Sequence, residues 1–130
     1  MESTADSMSV VAATLANGGV CPLTNKKVLS NETVRNVLSM MQSCGMNDYS
    51  NQFAFNIGLP AKSGTAGGMM VVIPGITGFF TYSPPLDEYG NSVRGVQFVE
   101  DLLKVFCFHP FDNLKHSLKK NATSFLSCGV

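Results

Sequence analysis

The chain has 130 residues, 45% of them hydrophobic and 14% charged, a balance that suits one globular domain with a modest core and excludes a disordered tail. Nine Lys and Arg offset nine Asp and Glu to a formal net charge of zero, with no long run of either sign. Charge therefore gives no case for a nucleic-acid or anionic-membrane partner. The longest apolar run, Met69 to Ile73, is too short to cross a bilayer, and Met1 to Ser9 has the character of neither a signal peptide nor an Arg-rich transit peptide, so a soluble chain is expected.

In chain order, Met8, Val11, Ala12 and Leu15 follow the i, i+3, i+4, i+7 stripe of an amphipathic helix over residues 6–17, stopped by Asn17-Gly18-Gly19. Pro22 and Asn25 mark a turn-rich connection. Ser30 is a candidate N-cap, Glu32 suits the positive end of the helix dipole, and Val34, Val37, Leu38 and Met41 predict a second helix ending near Cys44-Gly45. Asp48 to Phe55 reads as a short helix capped by Asp48, with Gln52, Phe53 and Phe55 turned partly inward and Gly58 ending it. Met69 to Ile73 and Gly78 to Tyr82 read as two strands joined at Pro74-Gly75 and stopped by Pro84-Pro85. Ser92 then caps a helix whose Val96, Val99, Leu103 and Phe106 face one way. The expected fold class is α+β, with helices packed on a short antiparallel hairpin. Because a two-stranded hairpin is only marginally stable alone, it reads as part of a larger sheet.

The run Leu59-Pro-Ala-Lys-Ser-Gly-Thr-Ala-Gly-Gly68 concentrates the chemistry. It places the charge of Lys62, the hydroxyl of Ser63 and the bare backbone of Gly64 beside the apolar strand. In serine-acylating enzymes a Lys-Ser/Thr-Gly triplet edges the active site, where amine and hydroxyl orient the substrate and a nearby backbone N–H helps hold the oxyanion. A polar, Gly-rich turn that only leads into a strand would read the same way.

Elsewhere the chemistry-bearing residues are dispersed. Cys21, Cys44, Cys107 and Cys128 form no C-x-x-C pair, so reduced thiols are expected in place of a zinc site or a disulfide framework, and no metal or cofactor is implied. His109 and His116 suit surface or helix-end positions, and Lys115, Lys119 and Lys120 a solvated helix end. The sequons Asn31-Glu-Thr33 and Asn121-Ala-Thr123 matter only in a secreted chain.

Taken in order, Ala12-Ala-Thr-Leu-Ala-Asn-Gly-Gly19, Cys21-Pro22, Val28-Leu29, Val34-Arg-Asn36, Ser43-Cys-Gly-Met46, Gln52-Phe-Ala-Phe55, Gly58-Leu-Pro-Ala-Lys-Ser-Gly64, Ala66-Gly-Gly68, Ser83-Pro-Pro-Leu-Asp87 and Gly90-Asn-Ser92 resemble the serine-dependent glutaminases. That family shares the β-lactamase and penicillin-binding protein architecture. The resemblance implies a partial β-lactamase/transpeptidase-like domain, with residues 1–120 as the C-terminal part of a catalytic domain and 121–130 as a tail unrelated to the family. It implies L-glutamine as family substrate, hydrolysed to L-glutamate and ammonia through an acyl-enzyme on the Ser of a Ser-x-x-Lys motif whose Lys is the base. The sole literal match here is Ser117-Leu-Lys-Lys120, in the polar tail, so the chain alone is expected to be inactive.

The resemblance carries over the opposite wall of the site. Thr65 stands where the family uses a main-chain N–H and carbonyl toward substrate and oxyanion, and Lys62, Ser63 and Gly64 line the cleft. Asn47 stands where the family usually has the Tyr of Gly-Met-Tyr-Asp, whose hydroxyl binds substrate and assists proton transfer; an amide is no acid or base near neutral pH. Tyr49, two residues on, reaches the cleft only if its loop is re-registered. The implied partners are further copies in a homo-oligomer or a full-length glutaminase, with no nucleic acid and no membrane. The compartment would be mitochondrial for an animal parent protein and cytoplasmic for a bacterial one.

Overall fold

A computed structural model describes residues 3–112 of the chain. The first helix, α1 (Ala5–Ala16), starts at Thr4, whose hydroxyl accepts the Ser7 N–H at 3.2 Å. Its stripe buries Ala12, Leu15 and Ala16. The second, α2 (Asn31–Cys44), is capped by Ser30 through the Thr33 N–H at 3.1 Å and buries Val34 and Met41. Both lie on one face of the sheet, where they enclose Met70 and Val72.

That sheet has three antiparallel strands in the order β1 (Ala61–Ser63), β2 (Gly68–Ile73) and β3 (Thr77–Tyr82). Two strands were expected; the third is the Lys-Ser-Gly segment itself. Pairing Ala61 with Val71 and Ser63 with Met69 gives the hairpin the extra strand that a lone two-stranded ribbon lacks. β2 is central and buried on both faces, so it reads as a continuous apolar run without alternation.

The opposite face carries α3 (Ser50–Asn56) and α4 (Val93–Val105), which with Met46, Ile57 and Leu59 enclose Met69, Val71 and Ile73. Val99 is fully buried there, with Val96 and Leu103 packed against the same cluster. Helices therefore cover both faces, in the α+β arrangement expected of a partial β-lactamase-like domain. Two close approaches set the spacing. A Cβ on Gly78 would collide with the backbone of Ala12, so glycine lets α1 lie directly on β3. A Cβ on Gly45 would strike the carbonyl of Ala61, and the resulting contact lets the Gly45 carbonyl accept the Ser63 N–H at 2.9 Å.

Three expectations are corrected. Asp48 caps no helix: it lies inside the single 3-10 turn Asn47–Tyr49 that precedes α3, and Tyr49 is the residue before the helix. Phe55 is 84% exposed and Gln52 is exposed, leaving Phe53 as the aromatic that α3 buries, because a seven-residue helix presents only one narrow face to the core. Finally, Cys21 and Cys44 are free thiols as expected, but Cys107 is disulfide-bonded; spacing along a chain does not reveal which segments the fold brings together. His116, Lys115, Lys119, Lys120, the Ser117–Lys120 match, Cys128 and the second sequon lie outside the described residues. Among the described residues no helix is long and apolar enough to cross a membrane.

Candidate functional site

β1 is an edge strand, and its alternation decides where the triplet points. Ala61 and Ser63 are buried and Lys62 is exposed. Lys62 pairs across the sheet with Met70, on the face covered by α1 and α2, whereas Ser63 pairs with Met69 on the face of α3 and α4. Lys62 and Ser63 thus leave the strand in opposite directions. The Lys62 ammonium donates back to the Ser63 carbonyl.

After Ser63 the chain turns through Gly64 to Gly67. The Gly67 N–H donates to the Gly64 carbonyl at 3.0 Å, and the Gly64 N–H to Gly68 at 2.8 Å. Gly67 has φ +94°, where a Cβ would meet the backbone of Ser83 and Pro84, so this corner requires glycine. Thr65 stands exposed at the apex of the turn. Its main-chain N–H and carbonyl have no hydrogen-bond partner among the described residues, which leaves both groups available to a ligand.

A cavity of about 500 Å³ opens beside this turn, bounded by Lys62, Ser63, Gly64, Thr65 and Ala66 on one side and by Met8, Phe80 and Tyr82 on the other. It brings together four of the five site residues picked out by sequence: the triplet and Thr65. Asn47 does not border it.

Asn47 is instead tied to the Asp87–Asn91 loop, whose ends belong to the motifs that carry the family resemblance but which was not picked out as part of the site. It holds φ +56°, a left-handed conformation that Asn tolerates better than most side chains. Its amide donates to the Tyr89 carbonyl at 3.0 Å and to the Asn91 side-chain oxygen at 3.4 Å. Asn91 is fully buried and donates to the Met46 carbonyl at 3.1 Å. Asp87 closes the loop by accepting the N–H groups of Tyr89 and Asn91 at 2.9 and 2.8 Å. The Ser63 hydroxyl reaches the same loop, donating to the Gly90 carbonyl at 3.4 Å. Asp87 through Asn91 therefore joins Ser63 and Asn47 indirectly. Its sequence signal is an Asp followed by a Gly-Asn pair, the pattern of a side-chain-closed turn.

Tyr49 is not free to replace a tyrosine at position 47. Its ring stacks on Tyr89 at 5.5 Å between centroids and meets Phe53 edge-on at 6.4 Å. The Tyr89 phenol sits above its ordinary value, chiefly because the Glu88 charge beside it disfavours a second negative charge. Among the described residues no group of three His, Cys, Asp or Glu side chains is placed to hold a metal ion.

The family model described as glutaminase matches residues 1–111. The liver-isoform mitochondrial glutaminase of Mus musculus is 55% identical over 120 residues, which are 92% of this chain and 20% of that protein. A glutaminase of Nostoc sp. is 44% identical over 108 residues, 83% of this chain and 32% of the relative. Among solved structures, the covalent complex between the Bacillus subtilis glutaminase YbgJ and 5-oxo-L-norleucine superposes with a TM-score of 0.81 at 31% identity, covering 85% of this chain and 40% of that one. Mglu in its glutamate form gives a TM-score of 0.79 at 41% identity, with 85% of this chain and 25% of that one covered. The chain spans well under half the length of each relative. Matched over most of its own length in sequence and in fold, with the triplet on the edge strand within the matched span, the chain belongs to the glutaminase family.

Proposed function

We propose that this chain forms one wall of a glutaminase site, the wall bearing Lys62, Ser63, Gly64 and the main chain of Thr65. The intact domain to which such a wall belongs hydrolyses L-glutamine to L-glutamate and ammonia. A serine on the facing wall attacks the side-chain amide carbon, ammonia leaves, and water releases glutamate from the acyl-enzyme. The exposed Thr65 N–H, without a partner among the described residues, is suited to the oxygen that gains charge in the tetrahedral intermediate. Lys62 supplies positive charge at the cavity rim for an anionic substrate group. The 500 Å³ cavity that these residues border is the observation carrying this reading. It is supported by the similar B. subtilis glutaminase, captured as a covalent complex with 5-oxo-L-norleucine, a ketone whose C5 carbonyl stands where glutamine has its side-chain amide carbonyl.

The wall lacks its own chemistry. Ser117-Leu-Lys-Lys120 is the one Ser-x-x-Lys in the 130 residues, and Asn47 offers hydrogen bonds in place of a phenol. The purified chain is expected to release no ammonia from L-glutamine above a matched blank. Release that rises with chain concentration would overturn that reading and assign a nucleophile within these residues.

A second reading makes the chain a non-catalytic partner of a full-length glutaminase oligomer. Exposed Val11, Met40, Phe98 and Val105, each 47% or more accessible, favour it, since apolar side chains left on a surface mark places where another surface packs. Co-purification of the chain with a complete homologue separates this reading from that of an isolated wall.

A further inference from the structure

Asn17 and Gly18 form the sole Asn-Gly pair in the 130 residues, and they stand where α1 ends. Glycine after asparagine leaves the main-chain nitrogen least hindered from attacking the side-chain amide carbon, because no Cβ stands beside it. Both residues are exposed, and a Cβ built on Gly18 would meet nothing within 4 Å, so the peptide between them has room to rotate. Asn91-Ser92 is the contrasting pair: its asparagine is fully buried and its amide donates to the Met46 carbonyl at 3.1 Å, so packing holds it. At Asn17 only the helix cap does. The Asn17 amide donates to the Val20 carbonyl at 3.0 Å, the Gly18 N–H to the Leu15 carbonyl at 3.3 Å and the Val20 N–H to the Asn17 carbonyl at 3.3 Å. The last two lie just beyond the usual N–H to O range, and all three belong to a helix end, where opening costs least.

We propose that Asn17 is a site of spontaneous deamidation, gated by opening of the α1 cap. Asn17 has ψ +26°, which sets the Gly18 nitrogen nearly opposite the Asn17 Cβ about the Cα–C bond, whereas ring closure requires the two to be eclipsed. The closed cap therefore delays the reaction and a transient opening permits it. In the open state a base takes the Gly18 N–H proton, the nitrogen attacks Cγ of Asn17, and the bond from Cγ to the side-chain nitrogen breaks. That nitrogen leaves with a proton as ammonia, and a five-membered imide remains. Water then adds to either imide carbonyl: cleavage of the new bond gives aspartate, and cleavage of the original peptide bond gives isoaspartate, with one more methylene in the main chain. Either product removes the donor to Val20 and puts a carboxylate at the negative, C-terminal end of the α1 dipole. The adjoining loop is tightly held, since the Gly19 N–H donates to the Thr14 carbonyl at 2.8 Å and the Gly19 carbonyl accepts the N–H groups of Val28 and Leu29 at 2.8 and 3.1 Å. Because α1 lies directly on β3 and its Met8 borders the candidate cavity, loss of the cap loosens one side of that cavity. This chemistry is independent of the glutaminase reading above.

The full chain is incubated without glutamine in mildly alkaline buffer, and peptide mapping by mass spectrometry follows each asparagine, with enzymatic methylation of isoaspartate as the second readout. A synthetic peptide spanning residues 12–20 reports the rate without the fold. Asn17 is expected to convert first among the asparagines of residues 3–112, with about one ammonia released per chain, and at least about tenfold more slowly than in the peptide, a difference that urea erases. Asn17→Ser, at the same exposed cap, is expected to abolish the mass change and the ammonia over the same period. Asn17→Asp, the direct product, is expected to melt at a lower temperature than the parent chain. Earlier conversion of another asparagine within residues 3–112, a folded-chain rate equal to that of the peptide, or no conversion long after the peptide has reacted overturns the proposal. An Asn17→Asp chain that melts with the parent overturns the consequence drawn for α1.

Discussion

Asn91 shows how much a single side chain organises around the candidate site. It has no exposed surface, satisfies the Met46 carbonyl, accepts from Asn47 and receives through its own N–H the grip of Asp87. Truncation to alanine removes one of the two donors to the Met46 carbonyl, which keeps the Tyr49 N–H at 3.2 Å, and removes the acceptor for the Asn47 amide, and a lost intramolecular hydrogen bond costs about 0.5–1.5 kcal/mol. Asn91→Ala is therefore expected to lower the denaturant midpoint by that amount, with faster amide exchange at Asn47 and Gly90; an unchanged midpoint would mean that water replaces the lost donor. Little of this network was legible in the sequence, because Asn47 and Asn91 are 44 positions apart and only the fold makes them neighbours. The triplet was legible, since its chemistry is local. Its split across the two faces of β1 follows from strand alternation, which becomes readable only once the segment is known to be a strand.

At the scale of elements, the two long helices with serine caps give a controlled comparison. Ser30 and Ser92 each accept one N–H of the first turn, from Thr33 at 3.1 Å and from Gly95 at 3.2 Å. Ser92 is fully buried and also donates to the Ser83 carbonyl at 3.0 Å, whereas Ser30 is exposed. Loss of a cap costs about 0.5–2 kcal/mol, and Ser92→Ala is expected at the top of that range and Ser30→Ala near its bottom, as read by thermal or chemical denaturation. The single ion pair among the described residues, Lys104 to Asp101 at 2.7 Å on α4, is the opposite case. Hydrogen bonding to Lys104 lowers the Asp101 carboxyl below its usual range and the same bond raises Lys104. Any stability from a depressed carboxyl is present above its unfolded value and lost as pH falls through the folded one. Both groups are exposed, so Asp101→Asn is expected to lower the melting temperature only slightly at neutral pH, with the difference from the parent chain vanishing as pH falls through the Asp101 range. Helix stripes and caps were legible because periodicity and N-cap chemistry act within a few residues. The short Asp48–Phe55 helix was misread in its cap and in the burial of Phe55, which tertiary contacts decide.

For the whole molecule, the decisive property is incompleteness of cover. Met69, Val71 and Ile73 are buried beneath α3 and α4, while Val11 and Met40 on the α1/α2 side and Phe98 and Val105 on α4, each 47% or more exposed, leave apolar surface open. The isolated chain is accordingly expected to self-associate as its concentration rises, a trend that light scattering measures and that Met40→Asp should weaken. A monodisperse monomer with a sharp melt at high concentration would show that these surfaces need no cover.

Family membership and the order of elements were written in the sequence itself, because ordered short motifs, helix stripes, caps and turn residues all act locally. The tertiary structure alone decided the rest. It made the Lys-Ser-Gly segment a third strand, sent Lys62 and Ser63 to opposite faces, and drew Asn47 onto the Asp87–Asn91 loop and away from the cavity. Those outcomes depend on which distant segments pack together, and no local pattern of residues carries that information.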